Sequence, residues 1–236
     1  MSNTLENIVN DENLVWGKNL ENHTEKFWVK LTAKTIHELK TKTSQLKNYE
    51  KNSFPNLENE INKLKIEKII DGVGLLIIDG TSFVDFSKDE IKQIYEIICK
   101  LLGTLYIQNI DDEKIVEITD EGKSMSAGAR YHQTKEGGSY HTDSPHWKNV
   151  PDLVGLFCIN QAKKGGISKF VSTYTIHNQI LNEQNDKLKT LYGKFYFDKR
   201  GEFQINESKT IFEPVFVFEN GKLHCRYLRN YIISGH

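Results

Sequence analysis

The stretch GGSYHTDSPHWKNVPDLVGLFCINQAKKGGISKFVSTYTIHNQIL, residues 137–181, decides how this chain is read. It opens with His141 and Asp143 two residues apart and passes Pro151 into the apolar run LVGLFCIN (153–160). It turns at Gly165-Gly166, continues through SKFVSTY (168–174) and enters a helix-like segment over 175–191. Short β-prone runs separated by turn residues predict strands here, and the periodicity after Thr175 predicts one helix. The polar segment RYHQTKEGGSYHTDSPHW (130–147) packs histidines, an aspartate, glycines and aromatics between strand-like regions.

On an extended backbone, residues i and i+2 project to one face, about 6.6 Å apart at a rise of about 3.3 Å per residue. A long imidazole and a short carboxylate at that spacing can converge on one cation at about 2.0–2.2 Å. Imidazole plus carboxylate, completed by a further histidine, is the facial triad of non-haem Fe(II) oxygenases. Zinc accepts the same donors, and H-x-D triplets also occur in polar loops without a metal. The triplet alone leaves the metal open.

Further β-prone runs lie on both sides: TLYIQNI (104–110), KIVEIT (114–119), FYFD (195–198), IFEPVFVFEN (211–220) and KLHCRYLRNYII (222–233). Asn220-Gly221 between two of them is the strongest hairpin signal in the chain. The N-terminal half reads differently. Residues 1–20 predict a mobile or loosely docked leader, and apolar residues at near-helical spacing predict a helix over 24–45. A second helix is predicted over 57–70, closed by Gly72, then a buried strand at VGLLIIDG (73–80). Ser87 with Glu90 three residues on has the capping-box spacing. The helix it starts carries Ile91, Ile94, Ile98 and Leu101 on one face. Helices first and short strands after predict an α+β chain, a β-sandwich or jelly roll flanked by N-terminal helices.

Composition narrows the function classes. The 31 basic and 32 acidic residues of the 236 leave a net charge of −1, giving no reason to expect nucleic acid or an anionic membrane as partner. Cys99, Cys158 and Cys225 are widely spaced and odd in number, against a disulfide scaffold or a zinc ribbon. No apolar run reaches the length of a spanning helix, and the polar N-terminus lacks a signal-peptide core; a cytoplasmic protein is the expectation.

The residues from Gly137 to Leu181 resemble the TauD/TfdA family of Fe(II)/2-oxoglutarate dioxygenases, near its clavaminate-synthase-like members. The family pattern runs from an aromatic and His-Thr-Asp through a proline-led loop and an apolar strand. It then passes a lysine-rich turn into Gly-Gly-x-Ser, a further strand and a helix. The resemblance extends over residues 70–236 through VGLLIIDG, LLGTLYIQN and HCRYLRNYI. It implies a double-stranded β-helix (jelly roll) over 71–236, preceded by a leader and helical extension over 1–70. By position it makes His141 and Asp143 iron ligands and assigns Ser168 to the distal carboxylate of 2-oxoglutarate. Gln108, Asn109, Arg130 and Tyr131 fall on the substrate side. The implied partners are Fe(II), 2-oxoglutarate, O2 and a small organic acid, amino acid or betaine-like substrate, and a homo-oligomer is compatible with it.

The family also needs a distal histidine and a 2-oxoglutarate-binding arginine beyond a segment like RYLRNYIISG, where this chain ends at His236. His224 lacks the flanking pattern, and Arg226 and Arg229 match arginines that precede that region. His146 is expected in a loop, His177 at a helix start as a capping or surface residue, His132 beside the site, and His236 in a frayed end. The expectation is therefore a C-terminally truncated member whose last strands are missing. Its competitors are a non-catalytic metal- or ligand-binding jelly roll, an inactive fragment, and a structural β-sandwich in which the triplet is incidental.

Overall fold

The computed structural model describes residues 4–108, 112–119, 122 and 138–236, and these fall into two compact units. One is mainly helical and comprises Lys18–Glu136 and Gly155–Gly166; the other comprises Met1–Gly17, Gly137–Val154 and Ile167–His236. Among the described residues no helix is long and apolar enough to cross a membrane.

The helical unit is built from α1 (Ala33–Thr41), α2 (Pro55–Leu64) and α3 (Lys88–Leu102). Each helix start has its own device for the unpaired N–H groups. Thr32 accepts the Thr35 N–H at the start of α1. Proline opens α2, where its missing N–H costs nothing. The buried Glu38 carboxylate, reaching across from α1, accepts the N–H groups of Asn56 and Leu57 at 2.9 and 3.1 Å and so meets the positive end of the α2 dipole. Ser87 and Glu90 form the reciprocal capping box that the sequence predicts. The apolar stripes close on Leu39, Phe54, Leu57, Ile61, Ile94 and Ile97, all essentially inaccessible. Each such side chain contributes about 1.5–3 kcal/mol of transfer free energy.

Beyond α2 the chain continues as a π-helical turn over Lys65–Ile70. Gly72 is required there, because a Cβ would collide with the carbonyl oxygens of Glu67 and Lys68. The buried strand expected at 73–80 shrinks to β2 (Ile77–Ile78), half-buried and paired in parallel with β1 (Trp28–Val29). That strand β1, with α1 beginning only at Ala33, replaces the first part of the helix expected over 24–45.

In the second unit, α4 (Thr173–Glu183) and α5 (Asn185–Leu191) occupy the segment read as one helix, which breaks at Gln184 with φ −149°. Strand β3 (Lys194–Asp198) pairs antiparallel with β4 (Thr210–Pro214), and β5 (Phe216–Glu219) with β6 (Lys222–Cys225). The β5–β6 hairpin turns on Asn220 and Gly221, both left-handed at φ 51° and 76°, as a type I′ turn demands. A final helix, α6 (Arg229–Gly235), packs on β3, where the sequence predicts a continued strand. The core gathers Leu188, Phe197, Val215, Phe216 and Leu223.

The N-terminal segment is fastened, not loose. Asn178 of α4 grips Val9 twice, accepting its N–H at 3.1 Å and donating to its carbonyl at 2.7 Å. Ser172 donates to Leu14 O, Thr175 to Trp16 O, and Leu5 N–H donates to the Tyr192 hydroxyl.

The chain is thus mixed helix and sheet. Among the described residues the strands form three two-stranded ladders and no closed barrel. Among the described residues the strands predicted at 104–110, 114–119, 153–160 and 168–174 carry no ladder, and residues 173–174 open α4 instead. A strand is stabilised by its cross-strand partner more than by its own propensity, and these segments find no partner among the described residues. Within LVGLFCIN only Phe157 packs against rings, those of Phe83 and Tyr95, while Leu156 stays 68% exposed.

Candidate metal centre

His141 and Asp143 meet at a chain reversal in the second unit. Their side chains face each other, with His141 Nε2 3.3 Å from Asp143 Oδ1, although the segment forms no strand where the i, i+2 reading takes an extended one. Two donors about 2.1–2.2 Å from a shared cation, at an angle near 100°, are separated by about 3.3 Å, so the pair fits two adjacent positions of one metal ion. The other ring nitrogen fixes the tautomer. Nδ1 lies 2.6 Å from the carbonyl oxygen of Ser139, which can only accept, so Nδ1 carries a proton and Nε2 is the ring nitrogen that faces Asp143. A metal-bound histidine tied to a carbonyl in this way keeps its ring orientation. The hydrogen bond to the Asp143 carboxylate, helped by the one to Ser139 O and by the Asp143 charge, raises the His141 pKa above its ordinary value, with partial burial opposing. A divalent cation would displace that proton and take over the carboxylate.

The residue between the two donors is anchored. Thr142 N–H donates to Tyr227 O at 2.7 Å, and Tyr227 N–H donates to Thr142 Oγ1 at 2.9 Å. The residue after them, Ser144, is left-handed at φ 47°. A turn follows in which Trp147 N–H donates to Ser144 O at 3.0 Å. The guanidinium of Arg226, just past β6, donates to Pro145 O at 2.7 Å, Trp147 O at 2.5 Å and Lys148 O at 3.4 Å. Glu202 holds the same turn from another direction, accepting from Trp147 Nε1 at 3.0 Å and lying 2.8 Å from His146 Nε2.

Other residues singled out from sequence lie elsewhere. Ser168 is exposed in a segment without regular structure. Gln108 belongs to the helical unit, where its side chain donates to Tyr106 O at 3.1 Å. Asn109, Arg130, Tyr131 and His132 lie outside the described residues. Among the described residues no group of three or more histidine, cysteine, aspartate or glutamate side chains stands together, so His141 and Asp143 form a two-donor corner.

Several histidine expectations need correction. His177 is no surface cap; it is wholly buried, hydrogen-bonded to the Tyr192 hydroxyl at 2.8 Å and edge-on to Phe216. Its place within α4, not at its first turn, turns it into the core. His146 lies in the loop as expected, but is buried at 6% exposure with Glu202 receiving it. His236 does not fray: it accepts the Tyr196 N–H at 3.3 Å and lies edge-on to that ring. His224 is exposed on β6. Glu202, Arg226 and Tyr227 as supports of the corner carry no local signal, since each acts across more than fifty residues of chain.

Comparison with known proteins bears on this corner. The family model described as "Taurine catabolism dioxygenase TauD, TfdA family" matches residues 40–231. The chain is similar to FR-33289 synthase of Streptomyces rubellomurinus, 33% identical over 173 residues covering 72% of this chain and 49% of that protein. It is also similar to the taurine hydroxylase-like protein SAT17 of Stachybotrys chartarum, 28% identical over 173 residues covering 70% of this chain and 42% of that protein. The chain therefore spans about half the length of the curated relatives it matches, or less.

Proposed function

The chain belongs to the TauD/TfdA dioxygenase family, and from that membership and the corner geometry we propose that it carries the metal corner of an Fe(II)/2-oxoglutarate-dependent oxygenase of jelly-roll fold. The substrate class is a small organic acid, amino acid or betaine-like molecule, with O2 as co-reactant. The names of the relatives, a synthase and a taurine hydroxylase-like protein, support small-molecule chemistry. The observation that carries the reading is the 3.3 Å approach of His141 Nε2 to Asp143 Oδ1, with Nδ1 tied to Ser139 O.

In this reading His141 Nε2 and the Asp143 carboxylate would hold the iron. Bound iron supplies the redox chemistry that couples 2-oxoglutarate decarboxylation to substrate oxidation. The chain's residues orient the partners. By the family resemblance alone, Ser168 would donate its hydroxyl proton to the distal carboxylate of 2-oxoglutarate, and Gln108, Asn109, Arg130 and Tyr131 are the substrate-side candidates. Iron uptake in anaerobic equilibrium dialysis tests the ligand assignment: wild type takes up iron, and His141→Ala and Asp143→Ala do not. Equal iron in all three overturns it.

A second reading, a non-catalytic metal- or ligand-binding relative or an inactive fragment, draws on the two-donor corner, which is one donor short of a triad among the described residues. Product formed in proportion to 2-oxoglutarate consumed separates the oxygenase from this alternative.

A further inference from the structure

The turn that follows Asp143 is held in a conformation its sequence does not favour. Ser144 adopts φ 47°, a left-handed region that a residue with a Cβ enters only under constraint. Pro145 follows it, so the usual strategy of relaxing into an extended serine-proline pair is available to the chain and is not taken. Something outside the turn must impose the reversal.

Arg226 supplies that constraint. Its guanidinium meets the carbonyl oxygens of Pro145, Trp147 and Lys148, all on the segment just past Ser144. Its own backbone is fixed, since Arg226 N–H donates to Val215 O at 2.8 Å. The next residue, Tyr227, is the one that exchanges hydrogen bonds with Thr142. Two consecutive residues at the end of β6 therefore grip the corner on either side of Asp143-Ser144. A planar fork with five N–H donors suits several carbonyls at once, whereas a lysine ammonium is a point donor with three.

We propose that Arg226 is a positioning residue of the metal corner: by collecting the Pro145, Trp147 and Lys148 carbonyls it holds the left-handed Ser144 turn closed and keeps Asp143 Oδ1 against His141 Nε2. This rests on the reading of His141 and Asp143 as metal ligands. Arg226 touches neither donor. It acts through the backbone, so its removal lets the turn relax and carries the carboxylate away from the imidazole. Glycine at 144 adopts the same φ without the Cβ penalty, so it should make the guanidinium dispensable.

The test is titration of the 236-residue protein with Co(II) alone, followed by visible absorption, with near-UV circular dichroism as the check on packing. Arg226→Ala and Arg226→Lys are expected to weaken Co(II) binding at least about tenfold, the range seen when a ligand's support is lost. Adding Ser144→Gly to Arg226→Ala is expected to recover most of that loss, a rescue that a general loss of stability would not show. In metal-free protein, exchange of the Trp147 amide should accelerate in Arg226→Ala and slow again in the double variant. Co(II) affinity unchanged in both Arg226 variants overturns the inference, as does a folded double variant that recovers nothing. If Arg226→Ala fails to fold, Arg226→Lys decides by the same criterion. Absence of Co(II) binding by wild type overturns the ligand reading and this inference with it. Binding by wild type that is lost in Asp143→Ala but indifferent to Arg226 overturns this inference alone.

Discussion

Thr142 and Tyr227 are locked together by a reciprocal pair of hydrogen bonds, backbone to backbone at 2.7 Å and backbone to hydroxyl at 2.9 Å. The residue between the two donors of the corner is therefore tied to the end of β6. Thr142→Val keeps the shape and removes the acceptor, leaving the Tyr227 N–H without its partner. It should lower unfolding free energy by about 1–3 kcal/mol, read from urea denaturation, while Thr142→Ser keeps most of it. Equal stability of the valine variant and wild type would show that the lock contributes nothing.

His177 predicts a pH dependence for the second unit. Burial lowers its pKa below the ordinary 6.5, so the unfolded chain binds the proton more tightly than the folded one. Its contribution is fully present above that ordinary value, is lost as pH falls through it, and levels off once the folded imidazole also protonates. The slope attributable to one such group is at most about 1.4 kcal/mol per pH unit. Urea midpoints at pH 7.5 and 5 should differ more in wild type than in His177→Gln, and an unaltered difference contradicts the assignment.

The fastening of the N-terminal segment rests on Asn178, nearly buried and bonded to both polar groups of Val9. Asn178→Ala should cost about 1–3 kcal/mol, because two backbone groups lose their partners. It should also open residues 4–17 to limited proteolysis. Asn178→Asp keeps the acceptor, loses the donor and should fall between. Cleavage at wild-type rates in the alanine variant would contradict the fastening.

In the helical unit, Ser87→Ala removes the acceptor for Glu90 N–H at the start of α3. A loss of about 1 kcal/mol is expected, measured by thermal or chemical unfolding, and none if water replaces the hydroxyl at no cost.

What was legible in the sequence was local. The Ser87–Glu90 box spans three residues and the Asn220-Gly221 turn two, so in each the local chain brings the groups together, and the closeness of His141 and Asp143 in sequence is visible in the same way although the turn that holds them is not. What was not legible depends on partners far along the chain. Glu202 meets His146 across 56 residues, and Asn178 meets Val9 across 169. No local pattern names such partners. FYFD, IFEPVFVFEN and KLHC form β3 to β6 as their composition predicts, whereas LVGLFCIN has strand composition and no ladder partner among the described residues. The run from Lys222 to Ile233 divides between β6 and α6, with Arg226 and Tyr227 between them bonded to the 142–148 segment and the helix packed against β3.

The central claim is that His141 and Asp143 bind iron, and anaerobic titration with Fe(II) and 2-oxoglutarate tests it most directly. The account predicts a weak, saturable charge-transfer absorption in the visible region, present in wild type and lost in His141→Ala and Asp143→Ala. No absorption in wild type at any concentration, or an absorption that survives Asp143→Ala, would contradict it.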